Sequence, residues 1–199
     1  MRIIGGEARG RPVRLPGGCR IRPTADRVKK SLFDILHPVT GKSFLDLFAG
    51  SGNVGLEAIS RGARFAIFME KDIRLAGAIR TVLSQMGCAE RAEVIQADAL
   101  RGLGCLVQKG ERFDIIFADP PYDQGLALET LQYLEGGNAS AEAGIIVLQH
   151  SVREKLKASQ NQAMEMNDQR RYGDTMLSFL TRKKPGVANE ENRGISGIV

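Results

Sequence analysis

The chain has 199 residues, of which 43% are hydrophobic and 26% charged. That suits one domain with at most a small appendage, and it excludes wholesale disorder, collagen and coiled coil. Three cysteines (Cys19, Cys88, Cys105) without a CxxC pair, and two distant histidines, His37 and His150, support neither a disulfide framework nor a metal site.

The net charge of +5 is unevenly placed: residues 1–30 hold nine Lys+Arg against Glu7 and Asp26, giving +7, and the rest of the chain gives −2. Such a segment suits a polyanion, most simply nucleic acid, although a solubilising terminus has the same composition. Seven of the nine are arginine, whose planar fork matches phosphate and base edges. MRIIGGEARGR lacks an apolar core, so no signal peptide is expected, and no apolar run approaches a membrane span. The expected location is the reducing cytoplasm.

Residues 2–22 read as an extended hairpin or arm, Gly- and Arg-rich and too polar for a core. RPTADRVKKSLFDILHP follows, with Thr24 as a helix cap, Asp26 in the first turn, and Val28, Leu32, Ile35 and Leu36 on one face. Arg27, Lys29 and Lys30 lie off that stripe, and Pro38 ends the helix. FLDLF (44–48) then predicts a strand, followed by a glycine-rich turn and a helix to about Arg61, stopped by Gly62. FAIFME (65–70) predicts a second strand. Leu75, Ile79, Val82, Leu83 and Met86 form a helical stripe. AEVIQAD (92–98), FDIIFAD (113–119) and GIIVLQH (144–150) predict three more strands, with Leu128, Leu131 and Leu134 marking a helix between the last two. Alternating strands and helices mean βαβ units and a parallel sheet covered on both faces. TMLSFLT (175–181) follows the polar stretch 159–170 with no long helix between, which predicts an antiparallel strand at or near the edge. The division expected is an arm over 1–22, a catalytic domain over 23–182 and a flexible tail over 183–199.

Gly50, Gly52 and Gly55 form a G-x-G-x-x-G between a strand and a helix, where glycine permits a tight turn and close ligand approach. The motif alone fits both nicotinamide cofactors and S-adenosylmethionine. The first four strands each carry an acid in or at the end: Asp46, Glu70, Asp98 and Asp119. In a doubly wound sheet those ends converge on one crevice. Glu70 suits ribose hydroxyls, Asp46 a ligand ammonium and Asp98 an adenine amino group. A pyrophosphate is disfavoured by such a ring of carboxylates, so the electrostatics lean to the sulfonium and ammonium of S-adenosylmethionine. Asp119-Pro120-Pro121-Tyr122 supplies a rigid set of acceptors beside an aromatic ring. The Asp119 carboxylate and the Pro120 carbonyl can take both N–H bonds of an exocyclic amine while Tyr122 stacks on the base. His150 reads as structural, and Ser51 has no histidine partner for nucleophilic catalysis.

FLDLFAGSGNVGLEA, FMEKD, ADAL and ADPPY together resemble Rossmann-fold S-adenosylmethionine-dependent amino-methyltransferases. RIIGGEARGRPVRLP, RPTADRVKKSLFDIL and RRYGDTMLSFL are similar to the bacterial 16S rRNA guanine-N2 methyltransferase D family over about residues 1–181. The resemblance implies a seven-stranded, mostly parallel sheet with one antiparallel strand. It implies methylation of one guanine amino group of 16S rRNA, within a partly assembled small subunit; no metal is expected from the cysteine and histidine spacing above. By motif match, Asp119, Pro120, Pro121 and Tyr122 would be catalytic. Asp46, Gly50, Ser51, Gly52, Glu70 and Asp98 would hold the cofactor. The arginines of the basic segment (Arg9, Arg11, Arg14, Arg20, Arg22, Arg27) are the candidates for RNA. Three competing readings are an N6-adenine methyltransferase, a nicotinamide-dependent oxidoreductase and a non-catalytic RNA-binding module. The first would need a larger recognition region, the second leaves DPPY and the basic arm unexplained, and the third leaves the intact tetrad unexplained.

Overall fold

The computed structural model describes residues 1–14, 16–17, 25–156 and 163–183. Helix α1 spans Asp26–Ile35. Strand β1 (Ser43–Asp46), helix α2 (Asn53–Ser60), strand β2 (Phe65–Glu70), helix α3 (Ile73–Gln85) and strand β3 (Ala92–Gln96) follow. Then come helix α4 (Ala99–Gln108), strand β4 (Phe113–Ala118), helix α5 (Leu126–Gly136), and strands β5 (Ser140–Ser151), β6 (Met164–Tyr172) and β7 (Thr175–Arg182). The seven strands form one sheet in the order β3-β2-β1-β4-β5-β7-β6. Strands β1 to β5 pair in parallel, and β7 runs antiparallel to both β5 and β6.

Apolar runs become strands here because both faces of the sheet are covered. Along β1, Phe44 joins a cluster with Leu32, Phe33, Ile59, Phe68 and Phe117 under α1, α2 and α3. Its neighbour Leu45 joins the opposite cluster with Leu103, Ile116, Leu131 and Leu148 under α4 and α5. The chain leaves β1 toward β2 and β3, then crosses to β4 and β5. The strand order therefore reverses between β1 and β4, the place where open α/β sheets bind ligands.

Several elements depart from the sequence expectation. Helix α4, between β3 and β4, has no counterpart in it. Strand β6 occupies what the sequence presents as a polar stretch: it is one edge of the sheet, where charged residues guard against edge-to-edge pairing. Strand β7 is antiparallel as expected, one place in from that edge. Leu128 and Ile35, placed on buried stripes, are each 38% exposed. The α1 face that packs inward instead carries Val28, Lys29, Leu32 and Phe33. The α1 cap position is Ala25, with no side-chain bond; Thr24 lies outside the described residues.

The first thirteen residues do form a hairpin, bridged between Arg2 and Pro12. It is not too polar for the core: Ile3 and Val13 are both buried in the cluster under α1 and α2. The hairpin is tied to the end of α2, because Glu7 N–H donates to Ser60 O at 2.8 Å and Ser60 Oγ donates to Gly5 O at 2.6 Å. Lys29 is the anchor beneath it. Fully buried, its Nζ donates to Arg2 O and to Asn53 Oδ1, both at 2.7 Å, and lies 3.2 Å from Glu57 Oε2. Glu57 in turn accepts from Ile4 N–H at 2.8 Å and from Arg61 Nε at 2.8 Å. Burial pulls the Lys29 pKa down, opposed by the Glu57 charge and hydrogen bond.

Candidate active site at the carboxyl ends of the first and fourth strands

The loop after β1 turns through Gly50 and Gly52, both with positive φ (53° and 73°). At Gly52 a Cβ would also meet Ile79 Cγ1 at 2.9 Å, so the position is closed to side chains on both counts. At Gly55 a Cβ would lie 2.3 Å from the Phe68 ring. The third glycine of the motif thus lets α2 lie directly on β2, the packing role such a glycine has in dinucleotide-binding folds.

Two carboxylates brace this loop. Glu70, at the end of β2, accepts from Gly50 N–H at 2.7 Å with Oε2 and from Asp72 N–H at 2.8 Å with Oε1. Asp46, at the end of β1, accepts from Gly55 N–H at 2.9 Å. Asp46 is buried, and burial pushes its pKa up to about 7; the Gly55 bond opposes that shift and the nearby Glu70 charge adds to it. A helix N-terminus would ordinarily offer its N–H groups to a phosphate. Here one N–H of that turn, Gly55, serves Asp46. Two carboxylates stand at the loop, which disfavours a phosphate, and the residues present fit S-adenosylmethionine. Ser51 is buried beside them, its Oγ 3.5 Å from Met1 Sδ, so the hairpin's first residue reaches this loop.

Asp98 is exposed and caps α4, accepting from Arg101 N–H at 3.2 Å. Among the described residues no group of three or more His, Cys, Asp or Glu side chains could hold a metal ion.

Strand β4 delivers the tetrad beside this loop. Asp46 pairs in register with Phe117, and Leu47 N–H donates to Phe117 O at 2.9 Å, so Asp119 emerges two residues beyond that join. Asp119 is half-buried, Pro120 buried and Pro121 exposed. Asp123, immediately after the tetrad, is a non-glycine residue at φ 57°, which reverses the chain there. Tyr122 folds back toward β5 and β7: its hydroxyl accepts from Gln149 Nε2 at 3.0 Å and lies 3.4 Å from Thr175 Oγ1.

A family model described as "Conserved hypothetical protein 95" matches residues 1–181. The chain belongs to that family. It is 39% identical over 157 residues to the Escherichia coli K12 ribosomal RNA small subunit methyltransferase D, covering 78% of this chain and 77% of that protein. The Haemophilus influenzae protein of the same name is 40% identical over 136 residues, 67% of this chain and 70% of that protein. The solved Escherichia coli protein yhhF superposes with a TM-score of 0.79 at 34% identity, covering 92% of this chain and 98% of that one.

In this member of the family the structure brings Asp46, Gly50, Ser51, Gly52 and Glu70 to one loop, with the tetrad on the neighbouring strand. Arg9, Arg11, Arg14 and Arg27 are exposed, and Arg11 also donates to Gln85 O at 2.6 Å. Arg20 and Arg22 lie outside the described residues. His150 is buried, with Nε2 2.8 Å from Ser178 Oγ and Nδ1 2.9 Å from Ser151 O, a packed structural histidine. Sequence reasoning misses Gln149, Lys29 and Glu57. The available signal is a polar residue inside an apolar pattern: IIVLQ, and GLEAI on α2.

Proposed function

We propose that this chain transfers the sulfonium methyl of S-adenosylmethionine to the exocyclic N2 amino group of a guanine in 16S rRNA. The observation that carries the reading is Asp119-Pro120-Pro121-Tyr122 held at the end of β4, beside the loop braced by Asp46 and Glu70. It is supported by relatives named ribosomal RNA small subunit methyltransferase D. S-adenosylmethionine supplies an electrophilic methyl on a cationic sulfur. The chain supplies placement. In this reading Glu70 takes the ribose hydroxyls, Asp46 the ammonium and Asp98 the adenine amino group, with Gly50, Ser51 and Gly52 allowing close backbone approach.

On the acceptor side, the Asp119 carboxylate and the Pro120 carbonyl take the two amino N–H bonds, and the Tyr122 ring stacks on the base. The amine nitrogen is then aimed at the methyl carbon, and orientation supplies most of the rate. One amino proton leaves with or after transfer, so no strongly tuned base is required. The exposed Arg9, Arg11, Arg14 and Arg27, together with Arg20 and Arg22, bind the RNA. In this division the arginines of residues 1–22 serve RNA and 23–182 perform transfer; the expected tail lies, beyond Lys183, outside the described residues. The substrate is read as a partly assembled small subunit, in the cytoplasm; among the described residues no helix is long and apolar enough to cross a membrane.

The test is nucleoside mass spectrometry of 16S rRNA from a strain lacking the gene, before and after treatment with the purified protein and S-adenosylmethionine. N2-methylguanosine should be absent before and present after. A different methylated base, or none, sinks the reading.

A further inference from the structure

Strand β5 is apolar up to Leu148 and then carries Gln149, which is only 5% exposed. Ala118 pairs with Leu148 across the β4–β5 ladder, so Asp119, the first residue past β4, comes out beside Gln149, which stays in β5 and pairs with Leu177 of β7. Phe117 and Val147 lie in the cluster under α1 and α2. By the alternation of β5, Gln149 lies on that same face, paired with Leu177 of the same cluster, and Asp119 follows directly on the end of β4. The Gln149 amide is half used. Its Nε2 donates to Tyr122 Oη at 3.0 Å, while its Oε1 is buried without a hydrogen-bond partner among the described residues. A buried amide oxygen left without a donor is costly and rare in a native fold. Here it sits against the tyrosine of the tetrad, beside the strand end that presents Asp119.

We infer that Gln149 is a specificity-determining residue, whose side-chain carbonyl accepts the N1–H of the target guanine while Asp119 and Pro120 take its N2 amino group. This rests on the functional reading above. The Watson–Crick edge of guanine offers two adjacent donors, the ring N1–H and the amino group. Adenine N1 and cytosine N3 carry no hydrogen at neutral pH and would face the Gln149 oxygen with a lone pair. An amino-directed tetrad shared by enzymes for different bases does not itself distinguish them. A third acceptor placed for the ring N–H does. The donating half of the same amide holds the Tyr122 hydroxyl, which fixes the acceptor's direction.

The test uses small-subunit particles rebuilt with unmethylated 16S rRNA. One set carries guanosine and the other 2-aminopurine riboside at the position that the wild-type protein methylates. 2-Aminopurine keeps the 2-amino group and lacks N1–H. Wild type should favour guanosine by about tenfold or more in kcat/KM, the value of one buried hydrogen bond. Gln149→Leu should lose about 10- to 100-fold on guanosine and treat the two bases alike within about twofold. Gln149→Glu, which keeps an acceptor, should recover guanosine preference. S-adenosylmethionine affinity by calorimetry should be unchanged in both variants, which also reports that each is folded. Undiminished preference for guanosine in Gln149→Leu, with N2-methylguanosine still the product, overturns the assignment and leaves the functional reading standing. No N2-methylguanosine with the wild-type protein overturns the functional reading and the assignment with it.

Discussion

Gly50 N–H donates to Glu70 Oε2 at 2.7 Å, joining the loop after β1 to the end of β2 across 20 residues of chain. The carboxylate proposed to hold the cofactor ribose is therefore also a brace of the loop, since its other oxygen holds Asp72 N–H. Glu70→Ala should weaken S-adenosylmethionine binding on the order of tenfold or more, the value of about 1.5–3 kcal/mol for a hydrogen bond to a charged group. It should also lower the melting temperature, because two backbone donors lose their acceptor. Calorimetry and a thermal melt of the same sample check both. Unchanged cofactor affinity would remove Glu70 from the ribose site.

Asp46 makes a prediction with a sign. Its pKa in the fold is raised from 3.8 to about 7, chiefly by burial. Between those two values the folded state holds a proton that the unfolded state has released, so stability falls as pH rises through that window and levels off above it. Asp46→Asn removes the penalty. The ligand-free variant should therefore gain in melting temperature over wild type at pH 8 relative to pH 5. A ligand ammonium that pairs with Asp46 should expel that proton. Cofactor binding near pH 6 should then release protons, seen as a buffer-dependent calorimetric enthalpy that Asp46→Asn abolishes. A buffer-independent enthalpy would put the ammonium elsewhere.

Asp119→Ala should abolish methyl transfer to small-subunit particles while keeping most cofactor affinity, because its proposed partner is the target amine. Single-turnover assays beside calorimetry separate the two effects. Near-normal turnover would place the chemistry elsewhere.

The sheet and the glycine loop are legible in the sequence because parallel strands buried on both faces read as unbroken apolar runs, and a glycine at φ 73° has few replacements. Strand β6 is hidden because an edge strand bearing Asp168, Arg170 and Arg171 carries the composition of a loop. Lys29 and Glu57 are hidden for another reason. Charges read as surface unless their partners are known, and these two lie 28 residues apart in sequence and also hold backbone groups of the hairpin. Gln149 is visible as a polar residue in a strand, but its use depends on Tyr122, which only the turn after β4 brings to it.

The buried pair gives a stability prediction. Lys29→Met leaves Glu57 buried beside Arg61 and frees Arg2 O and Asn53 Oδ1 from their shared donor. Removing one member of such a pair costs about 3–5 kcal/mol, whereas an apolar replacement of both is often near neutral. Urea unfolding should show Lys29→Met strongly destabilised. Lys29→Met with Glu57→Gln, which keeps an acceptor for Ile4 N–H, should lose less than the sum of the single changes. Additive losses would mean that the two charges act independently.

The hairpin rests on that buried pair and on the core beneath it. Deleting residues 1–20 would strip Ile3 and Val13 from the core and uncover Lys29, so inactivity would report unfolding as readily as weakened RNA binding. Arg9, Arg14 and Arg27 are exposed and can be changed without touching the core, whereas Arg11 holds Gln85 O. Replacing the three with glutamine removes three positive charges and no hydrophobic surface. Every arginine–phosphate pairing removed should shallow the log–log salt dependence of RNA binding by roughly 0.7–0.9. The triple variant should therefore flatten the slope by roughly two to three if all three arginines touch phosphate. It should melt within a few degrees of wild type and bind S-adenosylmethionine equally well, because none of the three lies in the loop braced by Asp46 and Glu70. The largest fall in methylation should appear near physiological salt and shrink at low salt, where the remaining charges suffice for binding. An unchanged salt slope on small-subunit particles, with methylation equal to wild type throughout the series, would leave these arginines with no part in RNA recognition and make the basic segment a solubilising terminus.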